Sequence, residues 1–147
     1  MIPAFTSDGL LPPGQHECDL KMIESKLGFS ECRKEVIRRL LRLVSLLPGR
    51  EAIDHIVLNG SFAEAKTNPA DADLFIVVTD LVNGGASTEV LRWVDSRYAT
   101  LKALWRLDVT VGDQELFDES WKGWFGRTRD GRSKGYLSFG LVPGGRV

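Results

Sequence analysis

Ile56-Val57-Leu58-Asn59-Gly60-Ser61-Phe62, running on to Asn68-Pro69-Ala70-Asp71-Ala72-Asp73-Leu74-Phe75-Ile76-Val77-Val78, decides how the rest of the chain is read. An apolar run reaches a Gly-Ser pair, a short polar excursion follows, and a second apolar run opens on two carboxylates at i and i+2. The pattern predicts a strand over about 53–58, a tight turn and a strand over about 72–79. Side chains of a strand alternate between its faces, so Asp71 and Asp73 share one face while Ala72, Leu74, Ile76 and Val78 take the other. Two like charges about 4 Å apart cost about 4 kcal/mol at an effective dielectric of about 20, so a positive partner is expected between these acids. Magnesium, which takes oxygen ligands and keeps room for water and substrate phosphates, suits such a pair. Gly60 permits close backbone approach and Ser61 offers a hydroxyl and an N–H, the other half of a phosphate site.

A third acid stands downstream in Leu107-Asp108-Val109-Thr110-Val111, whose strict alternation sets Asp108 and Thr110 on one face and three apolar side chains on the other. A helix between the second strand and this one suits a crossover that returns the chain beside the Asp71/Asp73 strand, bringing Asp108 onto their face. A Gly-Ser after a strand is usually only a turn, and a lone Asp-x-Asp often only a capping feature. In this order, between two apolar strands and followed by a third acid, the combination is more specific.

In that combination the chain resembles the nucleotidyltransferase fold shared with DNA polymerase beta. The resemblance covers the middle of the chain as a signature and, by order of elements, extends to about residue 111. The N-terminal segment and Arg129-Asp130-Gly131-Arg132-Ser133-Lys134-Gly135 are also similar to short bacterial nucleotidyltransferase-like proteins of unassigned function. The resemblance implies an α/β (α+β) fold, a mixed sheet with helices packed on one face and an acidic site on the other. It implies a two-ion site, with magnesium or manganese held by Asp71, Asp73 and Asp108, Asp73 bridging both ions and Asp108 helping to activate an acceptor hydroxyl. Gly60 and Ser61 would grip the terminal phosphates of a nucleoside triphosphate such as ATP, so that pyrophosphate leaves and a nucleoside monophosphate passes to a protein or RNA hydroxyl. Many enzymes of this fold carry a further helical domain, whereas about 35 residues follow the Asp108 strand here. The site is therefore expected to be open and to borrow surface from a second copy or a partner chain, as in toxin–antitoxin or defence pairs. The competing expectation is a catalytically silent module of the same fold that binds a partner protein or nucleic acid.

Composition sets the remaining bounds. The 147 residues suffice for one domain, and 43% apolar with 27% charged residues is ordinary for a globular protein. A net charge of −1 argues against a globally basic nucleic-acid binder. No apolar run approaches the roughly 20 residues of a membrane helix and no signal peptide opens the chain, so the expected address is the cytoplasm, away from membranes. Cys18 and Cys32 are too few for a disulfide framework.

Residues 1–18 hold three of the six prolines and are expected to form an extended arm on the surface of the single domain, neither helix nor central strand. Asp19 is expected to cap a helix to about Leu27, ended by Gly28, and Ser30 a longer one from Glu31 to about Leu47, stopped by Pro48-Gly49. Val36, Ile37, Leu40, Leu41, Val44 and Leu47 form its apolar stripe; Arg33, Lys34, Arg38, Arg39 and Arg42 read as its solvated face. Asn83-Gly84-Gly85 predicts a loop, and Ser87 or Thr88 a cap for a helix to about Trp105 with Val90, Leu91, Val94, Tyr98, Leu101 and Trp105 buried. Asp113 can cap a turn of helix holding Leu116 and Phe117. The segment from Arg127 to Lys134 predicts a basic turn centred on Asp-Gly that leads into a last strand over 135–139. Arg127, Arg129, Arg132 and Lys134 are its candidates for a phosphate or partner contact, against a solvated hairpin tip. His16-Glu17-Cys18 lacks a fourth ligand at zinc spacing, His55 reads as a packing residue, Lys66 as a solvated loop lysine, and the four tryptophans as packing residues.

Overall fold

The computed structural model describes residues 1–79 and 85–141; the predicted loop at Asn83-Gly84 lies outside them. Five strands, β1 (Gly14–Cys18), β2 (Ile53–Asn59), β3 (Ala72–Val78), β4 (Leu107–Gly112) and β5 (Gly135–Phe139), form one mixed sheet in the order β1-β5-β2-β3-β4. The β2 strand runs antiparallel to both its neighbours, while β1 with β5 and β3 with β4 are parallel pairs. With helices α1 (Leu20–Leu27), α2 (Glu31–Leu46) and α3 (Ala86–Ala103), the chain has the mixed α/β architecture expected from its sequence.

Local chemistry starts and stops the helices. The Asp19 carboxylate accepts from the Met22 N–H at 2.8 Å and the Ser30 hydroxyl from the Arg33 N–H at 3.2 Å, each filling an otherwise orphaned donor of the first turn. Helix α3 begins at Ala86 behind Gly85, whose positive φ of 68° no side chain at Ser87 or Thr88 replaces as the entry point.

The larger core lies where α1, α2 and α3 cover one face of the sheet, with Ile23, Leu40, Leu43 and Val94 packed with Ile56, Leu74, Ile76 and Val109. The opposite face is not bare. Val57, Phe75, Val77 and Tyr136, the alternate residues of their strands, pack with Phe117 and Phe125 in a second, aromatic core. Residues 114–125 supply its cover as a helical turn capped by Asp113, a π-helical turn over Phe117–Trp121 and a last short turn, Lys122–Phe125. Phe75 and Val77 share the face of the acids and must be shielded from water, which is why the helices do not stay on one side.

Three expectations need correction. The arm is extended, but its last five residues form the edge strand β1, paired in register from Gly14↔Gly135 to Cys18↔Phe139, because past Pro12-Pro13 every residue keeps the N–H a ladder needs. Arg33, read as part of the solvated face of α2, is 0% exposed: it falls three and four residues before Val36 and Ile37 and so belongs to the buried stripe. Tyr98, read as part of the buried stripe of α3, is 38% exposed.

Candidate functional site

The parallel register of β3 and β4 sets Asp73 directly opposite Asp108, and the antiparallel register of β2 and β3 sets Asn59 opposite Asp73. Three polar residues thus stand in a row across three adjacent strands. Because Val57 and Phe75 belong to the aromatic core, the period of two puts Asn59 and Asp73 on that same face. Asp73 and Asp108 line a cavity of about 400 Å³ with Tyr98, Thr110, Trp121 and Trp124. Asn59, itself buried, donates from Nδ2 to the Phe125 carbonyl at 2.9 Å and ties the cover to the end of β2, while its Oδ1 has no partner among the described residues.

Gly60 turns the chain off β2 with φ at 82°, a left-handed value L side chains rarely adopt. A Cβ there would meet the Asp73 backbone nitrogen at 3.0 Å and its carboxylate at 3.1 Å, so only glycine lets the turn lie against the acid. The Ser61 hydroxyl is engaged within the protein, donating to the Asp71 carbonyl at 3.2 Å and accepting from the Ala70 N–H at 3.1 Å. It ties the turn to the approach of β3.

The acids crowd one another. Burial first, then the charges of Asp71 and Asp108, push the Asp73 carboxyl up to about 6, while Lys134 and Lys102 pull the other way. Asp71 lies just ahead of β3 and is half-buried. The Asp108 carboxylate accepts from the Tyr98 hydroxyl at 2.9 Å, and the Lys102 ammonium stands 3.6 Å from it. Among the described residues no three His, Cys, Asp or Glu side chains converge as a ready cage for an ion. Magnesium does not require one, since it is commonly held by one or two carboxylates together with water and substrate phosphates. Asp73 and Asp108, adjacent and mutually repelling, meet that lesser demand.

The loop between β2 and β3 is held from behind. The Arg33 guanidinium donates to the carbonyls of Lys66 at 2.7 Å, Phe62 at 2.9 Å and Leu27 at 3.2 Å, and to that of Glu64, with its plane over the rings of Phe29 and Phe62. Burial lowers it to about 10, and the carbonyl fork replaces the water it has lost. Lys134 corrects another expectation. It is buried, not part of an open basic turn, and its ammonium pairs with Glu64 at 2.8 Å, because the chain turns inward there to begin β5. Arg127, Arg129 and Arg132 are exposed. Arg127 donates to the Gly131 carbonyl at 3.3 Å and Arg132 pairs with Asp130 at 3.1 Å, so the turn satisfies much of its own charge.

The other residues set aside from the chemistry behave as packing groups. His16 bonds the Pro12 carbonyl at 2.6 Å, His55 bonds Asp54 at 2.6 Å, and burial pushes the Cys18 thiol up to about 11. Sequence reasoning missed Trp121, Trp124 and Tyr98 as cavity residues. The two tryptophans meet edge to face with centroids 5.7 Å apart, and Trp124, though packed on Trp121 and Phe125, remains 60% exposed, a large apolar area left in water. Their i, i+3 spacing after the third acid was the available signal.

Residues 3–139 match the model of a family described as a family of unknown function (DUF6932). No curated protein and no solved structure matches the chain.

Proposed function

The chain belongs to that family, and from the chemistry of its site we propose that it is a metal-dependent nucleotidyltransferase, moving a nucleoside monophosphate from a nucleoside triphosphate onto a protein or RNA hydroxyl. The observation that carries the reading is the pairing of Asp73 with Asp108 on neighbouring parallel strands, with Gly60 wedged against Asp73. Two carboxylates from separate segments beside a glycine turn suit a phosphorylated ligand that arrives with its own cations.

Asp73 and Asp108, with Asp71 at the rim, would hold magnesium or manganese. When bound, such ions neutralise the phosphate oxygens and the leaving pyrophosphate. Gly60 lets the triphosphate approach the backbone, while Ser61 keeps the turn and the acids in fixed relation through the Asp71 carbonyl. Asp108 takes the proton of the acceptor hydroxyl. Trp121 and Trp124 form an aromatic wall on which a nucleobase can stack, and the cover of residues 114–125 narrows a site that the sequence alone leaves open.

The test is incubation with α-labelled nucleoside triphosphates, magnesium and candidate acceptors, comparing wild type with Asp73→Asn and Trp124→Ala. Label transfer or magnesium-dependent nucleotide binding that Asp73→Asn abolishes supports the reading; neither one in the wild type defeats it. Trp124→Ala should weaken nucleotide binding by about 1–3 kcal/mol, the usual worth of one stacked base. Lys102 beside Asp108 favours a second reading, in which an internal cation has taken the place of a metal and the fold serves to bind a partner through the exposed arginines. That reading expects partner binding to survive Asp73→Asn and to fail on charge reversal at Arg129 and Arg132.

A further inference from the structure

We infer that Tyr98 is an acceptor of this chain's own nucleotidyl transfer, so that the protein modifies itself in cis; the inference rests on the transferase reading above. The transfer needs a hydroxyl beside Asp108, and the chain already supplies one: the Tyr98 hydroxyl donates to Asp108 Oδ1 at 2.9 Å on the wall of the cavity that Asp73 also lines. The sequence offers a reason to bury this ring, since it falls in the apolar stripe of α3, yet the residue is 38% exposed and lies outside both cores. Its position costs packing and gains access to the carboxylates.

Rigid elements hold the pair. Tyr98 sits in the last turns of α3 and Asp108 in β4, and only the three residues 104–106 separate the helix from the strand, so no long loop must close to bring them together. Lys102, one helical turn beyond Tyr98, lies 5.8 Å from its ring and 3.6 Å from Asp108, which places positive charge beside the reacting atoms. A nucleophile held within hydrogen-bond reach of its base on two packed elements needs little further ordering.

In the step, the Tyr98 Oη forms a bond to the α-phosphorus of a nucleoside triphosphate. The bond from that phosphorus to the oxygen bridging to the β-phosphate breaks, and pyrophosphate departs with the electron pair. The phenolic proton passes to the Asp108 carboxylate, leaving a tyrosyl phosphodiester that carries one nucleoside monophosphate.

The experiment uses the full chain with an equimolar mixture of the four ribonucleoside triphosphates and magnesium, followed by intact mass and peptide mapping. Expected is the mass of one nucleoside monophosphate on the peptide containing Tyr98, loss of that label in Tyr98→Phe, and a rate constant unchanged by tenfold dilution of the protein. Label on another residue, equal label in Tyr98→Phe, or a rate constant that falls in proportion to dilution overturns the inference. An unlabelled Tyr98 peptide in the wild type overturns it too. A parallel titration with a fluorescent nucleoside triphosphate then separates the two failures: magnesium-dependent binding that Asp73→Asn abolishes leaves the transferase reading standing, and its absence takes both down.

Discussion

Asp73 carries the largest electrostatic burden of the site, and its titration has a sign that can be checked. Burial and two neighbouring carboxylates raise it from an ordinary 3.8 to about 6, so the folded chain binds this proton more tightly than the unfolded chain does. Its contribution to stability is full below about pH 3.8 and is lost as pH climbs through about 6. Allowing for screening of a partly solvated group, the loss is about 1–2 kcal/mol. Asp73→Asn should therefore stabilise the metal-free protein by about that amount at pH 8 and by nearly nothing at pH 4, read as the urea midpoint in the presence of a chelator. If the crowding exists to hold a cation, millimolar magnesium should raise the pH 8 midpoint of the wild type and leave that of Asp73→Asn unchanged. The alternation around Asp73 and Asp108 was enough to place both on one face. Nothing local indicated that Tyr98 would leave the core for Asp108, since the stripe of α3 includes it as naturally as Val94.

Among the elements, the loop between β2 and β3 depends on α2. Arg33 gathers four carbonyls, three of them from residues 62–66, and thereby fixes the segment that carries Gly60 and Ser61 toward the acids. Arg33→Met keeps much of the apolar stem and leaves those carbonyls without a donor. A loss of about 3–5 kcal/mol is expected, measured by chemical denaturation. A loss under about 1 kcal/mol would show the loop to be held by other means, Lys134 on Glu64 first among them. The periodicity of α2 already set Arg33 on the inward stripe with Val36, Ile37 and Leu40; its charge argued for the outward face. Charge is a sound guide to exposure only where no cluster of unpaired carbonyls waits inside, and such a cluster is made by another part of the chain.

For the molecule as a whole, the N-terminal segment is structural, not an accessory. The β1 strand extends the sheet beyond β5, the N–H of Gly135 donates to the Leu11 carbonyl at 2.9 Å, and Ile2, Leu10 and Leu11 are buried. Leu11 is 1% exposed, so Leu11→Ala should cost about 2–5 kcal/mol, a core-sized loss checked by urea unfolding. A cost below about 0.5 kcal/mol would mean that the segment lies on the surface as an arm, as its prolines suggest. No described helix is long and apolar enough to cross a membrane.

By itself the sequence determined what depends on near neighbours: the Asp19 and Ser30 caps, the period of two through β3 and β4, and the glycine that must follow β2. Tertiary structure decided what depends on distant segments: that residues 114–125 fold over the acid face, that Lys134 meets Glu64, that Arg33 meets a loop some thirty residues away, and that β1 pairs with β5, the last described strand. The division has a physical cause. Backbone geometry repeats every two or 3.6 residues and writes itself into the local pattern, whereas a buried polar group is satisfied by whichever carbonyl or charge the folded chain brings to it.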